Sequence, residues 1–163
     1  LEEESMENAL VSGIAFQKDQ IKFTLHGVGD TPGTAFKILG PVSDAEVEVD
    51  VIVQNVSVDG KTDFTFTVAS EDKDTVKEVL DKLKDDVSYT ELIIDSNIAK
   101  VSIVGVGMRS QAGIASKAFK ALSENGVNIQ IICTSEIKIT MVIEKELVDK
   151  AVTVLHKEFE LEK

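Results

Sequence analysis

The segment Gly27-Val28-Gly29-Asp30-Thr31-Pro32-Gly33 is the part of this chain best equipped for chemistry. Its three glycines, set between an apolar run and an amphipathic stretch, imitate a dinucleotide fingerprint, with Asp50 further on. In that fingerprint the glycines let a pyrophosphate approach a helix N-terminus. Here the spacing is GxGxxxG, and the next elements read as a hairpin with no further parallel crossover. What carries over is the physics of such a loop: backbone amides at a helix start bind carboxylates. The same glycines would also serve a tight turn with no ligand.

Two polar clusters stand at corresponding places. Gln54-Asn55-Val56-Ser57 follows one alternating apolar run, and Cys133-Thr134-Ser135-Glu136 follows its counterpart. Polar side chains at strand ends suit a small polar ligand, although taken alone they are ordinary turn residues. Asp19, Asp30, Asp44, Asp50 and Glu136 include no acid–base pair at a recognisable spacing. His26 and His156 do not coincide in the repeat, and neither stands at ligand spacing to Cys133, so no metal site is expected. Cys133, beside Ile131 and Ile132, reads as a small buried apolar residue. Neither a Walker A sequence nor a Gly-x-Ser-x-Gly elbow occurs, and no catalytic residue is assigned.

The elements that must position these residues come in two copies. Ile21 to Leu39 (IKFTLHGVGDTPGTAFKIL) and Ile98 to Leu122 (IAKVSIVGVGMRSQAGIASKAFKAL) share an apolar run, Gly-Val-Gly, a further loop glycine and a helical stretch. An internal repeat of this kind fixes architecture. In the first copy, Ile21, Phe23 and Leu25 alternate as a strand, and Ala35, Phe36, Leu39 and Val42 recur at helical spacing. Val47, Val49, Val51 and Val53 alternate as a second strand, and Asp59-Gly60 signals a hairpin into Phe64, Phe66 and Val68. Val76, Val79, Leu80 and Leu83 mark one face of a helix over 72–83, and 89–94 supplies a fourth strand.

The order is β-α-β-β-α-β, an α+β ferredoxin-like unit with helices on one face of an antiparallel sheet. The second copy follows as strand 99–106, helix 112–125, strands 127–134 and 137–143, and helix 145–158. It lacks a closing strand, and the spare run Ala9–Phe16 is expected to fill that place. The expected organisation is a linker over 1–8, a strand over 9–17 completing the second domain, a first domain over 18–96 and a second over 97–163.

Composition narrows the function. The chain has 163 residues, 43% hydrophobic and 28% charged, with net charge −12. That balance argues against nucleic acid and against anionic membranes, which require basic footprints. A single cysteine permits no intrachain disulfide, so a cytoplasmic location is expected. A start at Leu1 reads as excision from a longer protein.

Several stretches together carry a resemblance: VSGIAF, GVGDTPG, VDVIVQNVS, DFTFTV, KVSIVGVGM, GVNIQIICTSEIKITMVI and AVTVLHKEF. In this order, over nearly the whole chain, they resemble the C-terminal regulatory region of aspartate kinases, a tandem pair of ACT domains. The resemblance implies feedback sensing of L-threonine, L-lysine or both, by a homodimer whose effector pockets lie between copies from different chains. It implies no catalysis and no cofactor in this region; ATP and magnesium belong to the kinase domain or subunit with which it partners.

By residue match, the effector site would use Asp30, Gly33, Ala35 and Gln54, completed by Asn128 and Ile129 of the other copy. A second site would use Met108, Ser135 and Glu136 with Asp50 and Val51 opposite. Loop amides would take the effector carboxylate, Asp30 or Asp50 its ammonium, and Asn or Gln its side chain. Two departures bear on stoichiometry. Glu48 stands where the second copy has Asn128, and the second loop reads MRSQAG where His-Pro-Gly is common. The alternatives are a dimerisation module with degenerate pockets, an ACT pair sensing another amino acid, and a stand-alone enzyme on the same scaffold.

Overall fold

The computed structural model describes residues 11–29, 31–56, 59–105 and 111–159. The chain divides into two compact units. One runs from Asp19 to Ser96; the other joins the described residues up to Lys18 with those from Asn97 onward.

The Asp19–Ser96 unit uses strand β1 (Val11–Gly29) from Asp19 on, helix α1 (Thr34–Asp44), strands β2 (Ile52–Val56) and β3 (Lys61–Ala69), helix α2 (Lys73–Lys82) and the start of β4 (Glu91–Gly105). Neighbouring strands follow the order β2-β3-β1-β4, with β3 antiparallel to both β1 and β2. This is the predicted ferredoxin-like arrangement. Ile21, Phe23, Leu25, Phe64, Phe66 and Val68 form the sheet side of its core, closed by Ile38, Val42, Val76 and Leu80 from the helices. Phe23 and Phe66, directly opposite in register, stack with centroids 5.5 Å apart.

The other unit repeats the plan with the second part of β4, helix α3 (Gln111–Glu124), strands β5 (Ile131–Thr134) and β6 (Lys138–Glu144), and helix α4 (Val148–Glu158). Its strand order is β1-β4-β6-β5, so the N-terminal run occupies the place of a fourth strand. Val11 packs there with Ala99, Val101 and Ile103, under Ala118, Leu122, Ala151 and Leu155. Phe159, just past α4, is 3% exposed and belongs to this core, although its neighbours in sequence are charged.

Four elements differ from expectation; β4 (Glu91–Gly105) joins the strands expected over 89–94 and 99–106 into one. The first two apolar runs form one strand of 19 residues, with Gln17–Gln20 continuing the ladder between them. Ala9 and Leu10 lie outside the described residues. The second strand begins at Ile52, not Val47. Residues 47–51 do alternate in burial, but only Asp50 and Val51 bond to β3, at Thr67. The strand expected over 127–134 is likewise confined to Ile131–Thr134, preceded by a bond from the Gln130 amide to the Val142 carbonyl.

Lys100 on β4 is 4% exposed. Burial, and secondarily the charge of Lys138 on β6, pull its ammonium down to about 8.

Candidate functional site

The loop that opens α1 is positioned by a bulge. The β1–β3 register shifts between Leu25 and Val28, leaving His26 and Gly27 on the bulged side. Asp63 of β3 fixes them: one carboxylate oxygen lies 2.7 Å from His26 Nδ1 and accepts the Gly27 amide at 3.2 Å. Gly27 has φ +71°, and a Cβ on it would stand 2.3 Å from the Thr90 hydroxyl oxygen. Only glycine meets both demands.

Beyond the bulge the chain turns through Gly33, at φ 90° just before α1. Thr34 holds this turn. Its hydroxyl donates toward the Thr31 carbonyl at 2.9 Å or the Gly29 carbonyl at 3.1 Å, and its amide bonds to Thr31 at 3.2 Å. The first full helical bond runs from the Lys37 amide to the Gly33 carbonyl. The amides of Ala35 and Phe36 therefore belong to the first turn, where a helix offers no internal acceptor and carries its positive dipole end. Ala35 leans on the core, while Phe36 is 77% exposed.

Gln54 lies on β2, the last strand in its unit's order. It pairs with Phe64, and Ile52 pairs with Phe66. Directly paired residues share a sheet face, so Gln54 and Ile52 lie on the face that α1 and α2 cover. Gly33, Ala35 and Gln54 thus belong to one unit and one side of its sheet. Asp50 is exposed and Val51 buried just before β2. The Val51 amide bonds to the buried Thr67 hydroxyl at 3.1 Å, and its carbonyl accepts the Thr67 amide.

Asn128, Ile129, Ser135 and Glu136 belong to the other unit. Asn128 is exposed, and Ile129 packs against the core. Ser135 closes the β5–β6 turn through its amide to the Lys138 carbonyl, with Glu136 exposed beside it. Glu48, at the position matching Asn128, is also exposed. Asp30 and Met108 lie outside the described residues.

One reading is corrected. Cys133 is half-buried, and it pairs with Thr140 on the face away from the helices, while Ile132 and Thr134 pair with the core residues Met141 and Ile139. Strand parity, not neighbouring isoleucines, decides which residue points inward. Sequence reasoning missed Thr34, Thr67 and the His26–Asp63 pair. Only Thr34 had a local signal, a hydroxyl at a helix start three residues after another. Among the described residues, no group of three or more His, Cys, Asp or Glu is placed to hold a metal ion.

Residues 25–87 and 101–159 each match an ACT domain family model. Over 99% of its length the chain is 57% identical to an aspartokinase of Pseudomonas aeruginosa, of which it spans 39%. It superposes on a structure of aspartokinase alpha and beta subunits at TM-score 0.85 and 46% identity, covering 92% of this chain and 99% of that one. The ligand-free regulatory subunit of aspartate kinase from Thermus thermophilus gives TM-score 0.86 at 33% identity, with the same coverage. No described helix is long and apolar enough to cross a membrane.

Proposed function

Because this chain belongs to the aspartate kinase family, as its tandem ACT-domain regulatory region, we propose that it senses L-threonine, L-lysine or both. The sensing restrains the phosphorylation of aspartate by ATP on a kinase domain or subunit, in the cytoplasm. The chain itself supplies no catalytic group and holds no cofactor.

The observation that carries this reading is the turn at Gly33. Its conformation brings first-turn amides of α1 to the side of the sheet where Gln54 sits. A free α-carboxylate suits those amides. Asp30 would take the ammonium, and Gln54, with Asn128 and Ile129 from a second chain, would read the side chain. Asp50, Val51, Met108, Ser135 and Glu136 would form the second pocket. An effector that binds one arrangement of the dimer more tightly shifts the attached kinase by that difference in affinity.

Calorimetric titration with L-threonine and L-lysine, separately and together, tests this, with mass measured by light scattering. Saturable binding to a dimer is expected. A folded dimer that binds neither would overturn the sensor and leave a dimerisation module, the reading that the carboxylate of Glu48 favours.

A further inference from the structure

The bulge in β1 decides which way the Gly27–Gly33 loop leaves its sheet. In an unbroken strand Leu25 and Val28 would point to opposite faces. Both are fully buried in the same core. The bulge reconciles the two facts. Leu25 pairs with Phe64 and Val28 with Thr62, so His26 and Gly27 together stand opposite Asp63. The extra residue is gripped from both neighbouring segments. On one side a single Asp63 oxygen meets His26 Nδ1 and accepts the Gly27 amide. On the other, the Thr90 amide donates to the His26 carbonyl at 2.8 Å. The residue before Asp63 steadies β2 as well: the Thr62 hydroxyl donates to the carbonyl of Asn55, next to Gln54.

The second copy of the repeat builds the same place differently. Gly105 stands where the first copy has Gly27, and its amide donates at 2.8 Å to the backbone carbonyl of Ile137. Ile103 pairs with Ile139 as Leu25 pairs with Phe64, so Val104 and Lys138 replace His26 and Asp63. Neither offers a carboxylate. The His26–Asp63 pair therefore belongs to one loop and not to the shared fold. Both of its side chains are about half-exposed, so core packing does not account for them. An exposed ion pair alone is worth little. Here the same oxygen also takes a backbone amide, a charge-assisted bond of the stronger kind.

We infer, resting on the sensor reading above, that Asp63 is a positioning residue for effector binding at the first loop, and that His26 acts through it. Without the carboxylate, Gly27 is free to change conformation and β1 can run on in register with β3. A slip of one residue turns every following side chain to the other face. The loop and the first-turn amides of α1 then spend only part of the time in the binding arrangement, and apparent affinity falls by that fraction.

The test pairs calorimetry of the 163-residue chain, with L-threonine and L-lysine, with amide exchange at Gly27 and Gly105 read by NMR. Asp63→Leu removes the acceptor and should weaken effector binding about tenfold, as loss of a hydrogen bond to a charged group implies. Asp63→Asn keeps a neutral acceptor in place and should lose only about threefold. Gly27 exchange should quicken in Asp63→Leu, and Gly105 exchange should stay as it was. His26→Leu should weaken binding by itself and add little on top of Asp63→Leu. Wild-type binding that Asp63→Leu leaves intact would overturn the role while the sensor reading stands. Equal losses with Leu and Asn would overturn it too, and so would a Gly105 amide that loosens along with Gly27. If Asp63→Leu does not fold, His26→Leu decides: unchanged affinity and unchanged Gly27 exchange would overturn the role. A wild-type chain that binds neither amino acid would overturn the sensor reading, and the role with it.

Discussion

Gly27 and Gly33 both hold positive φ, but for different reasons, and substitution separates them. Nothing lies within 4 Å of a Cβ placed on Gly33, whereas one on Gly27 would strike Thr90. Gly33→Ala should therefore cost only the left-handed strain, about 1–2 kcal/mol. Gly27→Ala should cost about 2–4 kcal/mol, strain plus overpacking. Urea denaturation of the two variants measures the difference, and equal losses would contradict the crowding. Glu48→Asn should add a second equivalent of effector in calorimetry if its carboxylate is what spoils the matching pocket. Lys100 supplies a pH signature. Its pKa is depressed from 10.5 to about 8 on folding, so the unfolded chain binds more protons between those values and stability rises with pH across that window. Below it the deficit is constant, on the order of 3 kcal/mol. Lys100→Met should raise stability at neutral pH and flatten the rise, as thermal melts from pH 7 to 10 would read. Little at this scale was legible in the residues alone. Thr67 and Asp63 act on partners distant in sequence, and a hydroxyl or carboxylate carries no local mark of such a partner.

The elements were legible in order and type, because periodicities of 3.6 and 2 survive in α1, α2 and β3. Their boundaries were less so. Valine alternation over 47–53 reports burial along one face, and an extended segment can have that without ladder pairing. The polar run Gln17–Gln20 looks like a break, yet backbone pairing through β1 does not require apolar side chains. β2 and β5 each end their unit's strand order, and each carries an exposed isoleucine, Ile52 at 48% and Ile132 at 47%. Edge strands of this kind invite a partner. If the regulatory dimer forms through them, Ile52→Lys or Ile132→Lys should lower the mass seen by sedimentation while leaving circular dichroism unchanged. Unaltered mass in both variants would place the dimer contact elsewhere.

At the scale of the whole molecule, both units share the long strands β1 and β4, the first part of β1 serving one unit and the rest the other. Removing residues 1–18 should therefore damage the unit beyond Asn97 more than the one it adjoins in sequence. Hydrogen exchange should show lost protection at Ile139–Ile143 and retained protection at Phe64–Val68. The same sharing has a consequence in time. The Asp19–Ser96 unit is complete as soon as it emerges from the ribosome, but Val11–Lys18 must wait for β4 to continue past Asn97. At about 5–20 residues per second, the roughly 80 residues between them take some 4–16 s to translate. Throughout that interval Val11–Lys18 is an unpaired β-segment, so the shared strands put a risk of misassembly on the nascent chain.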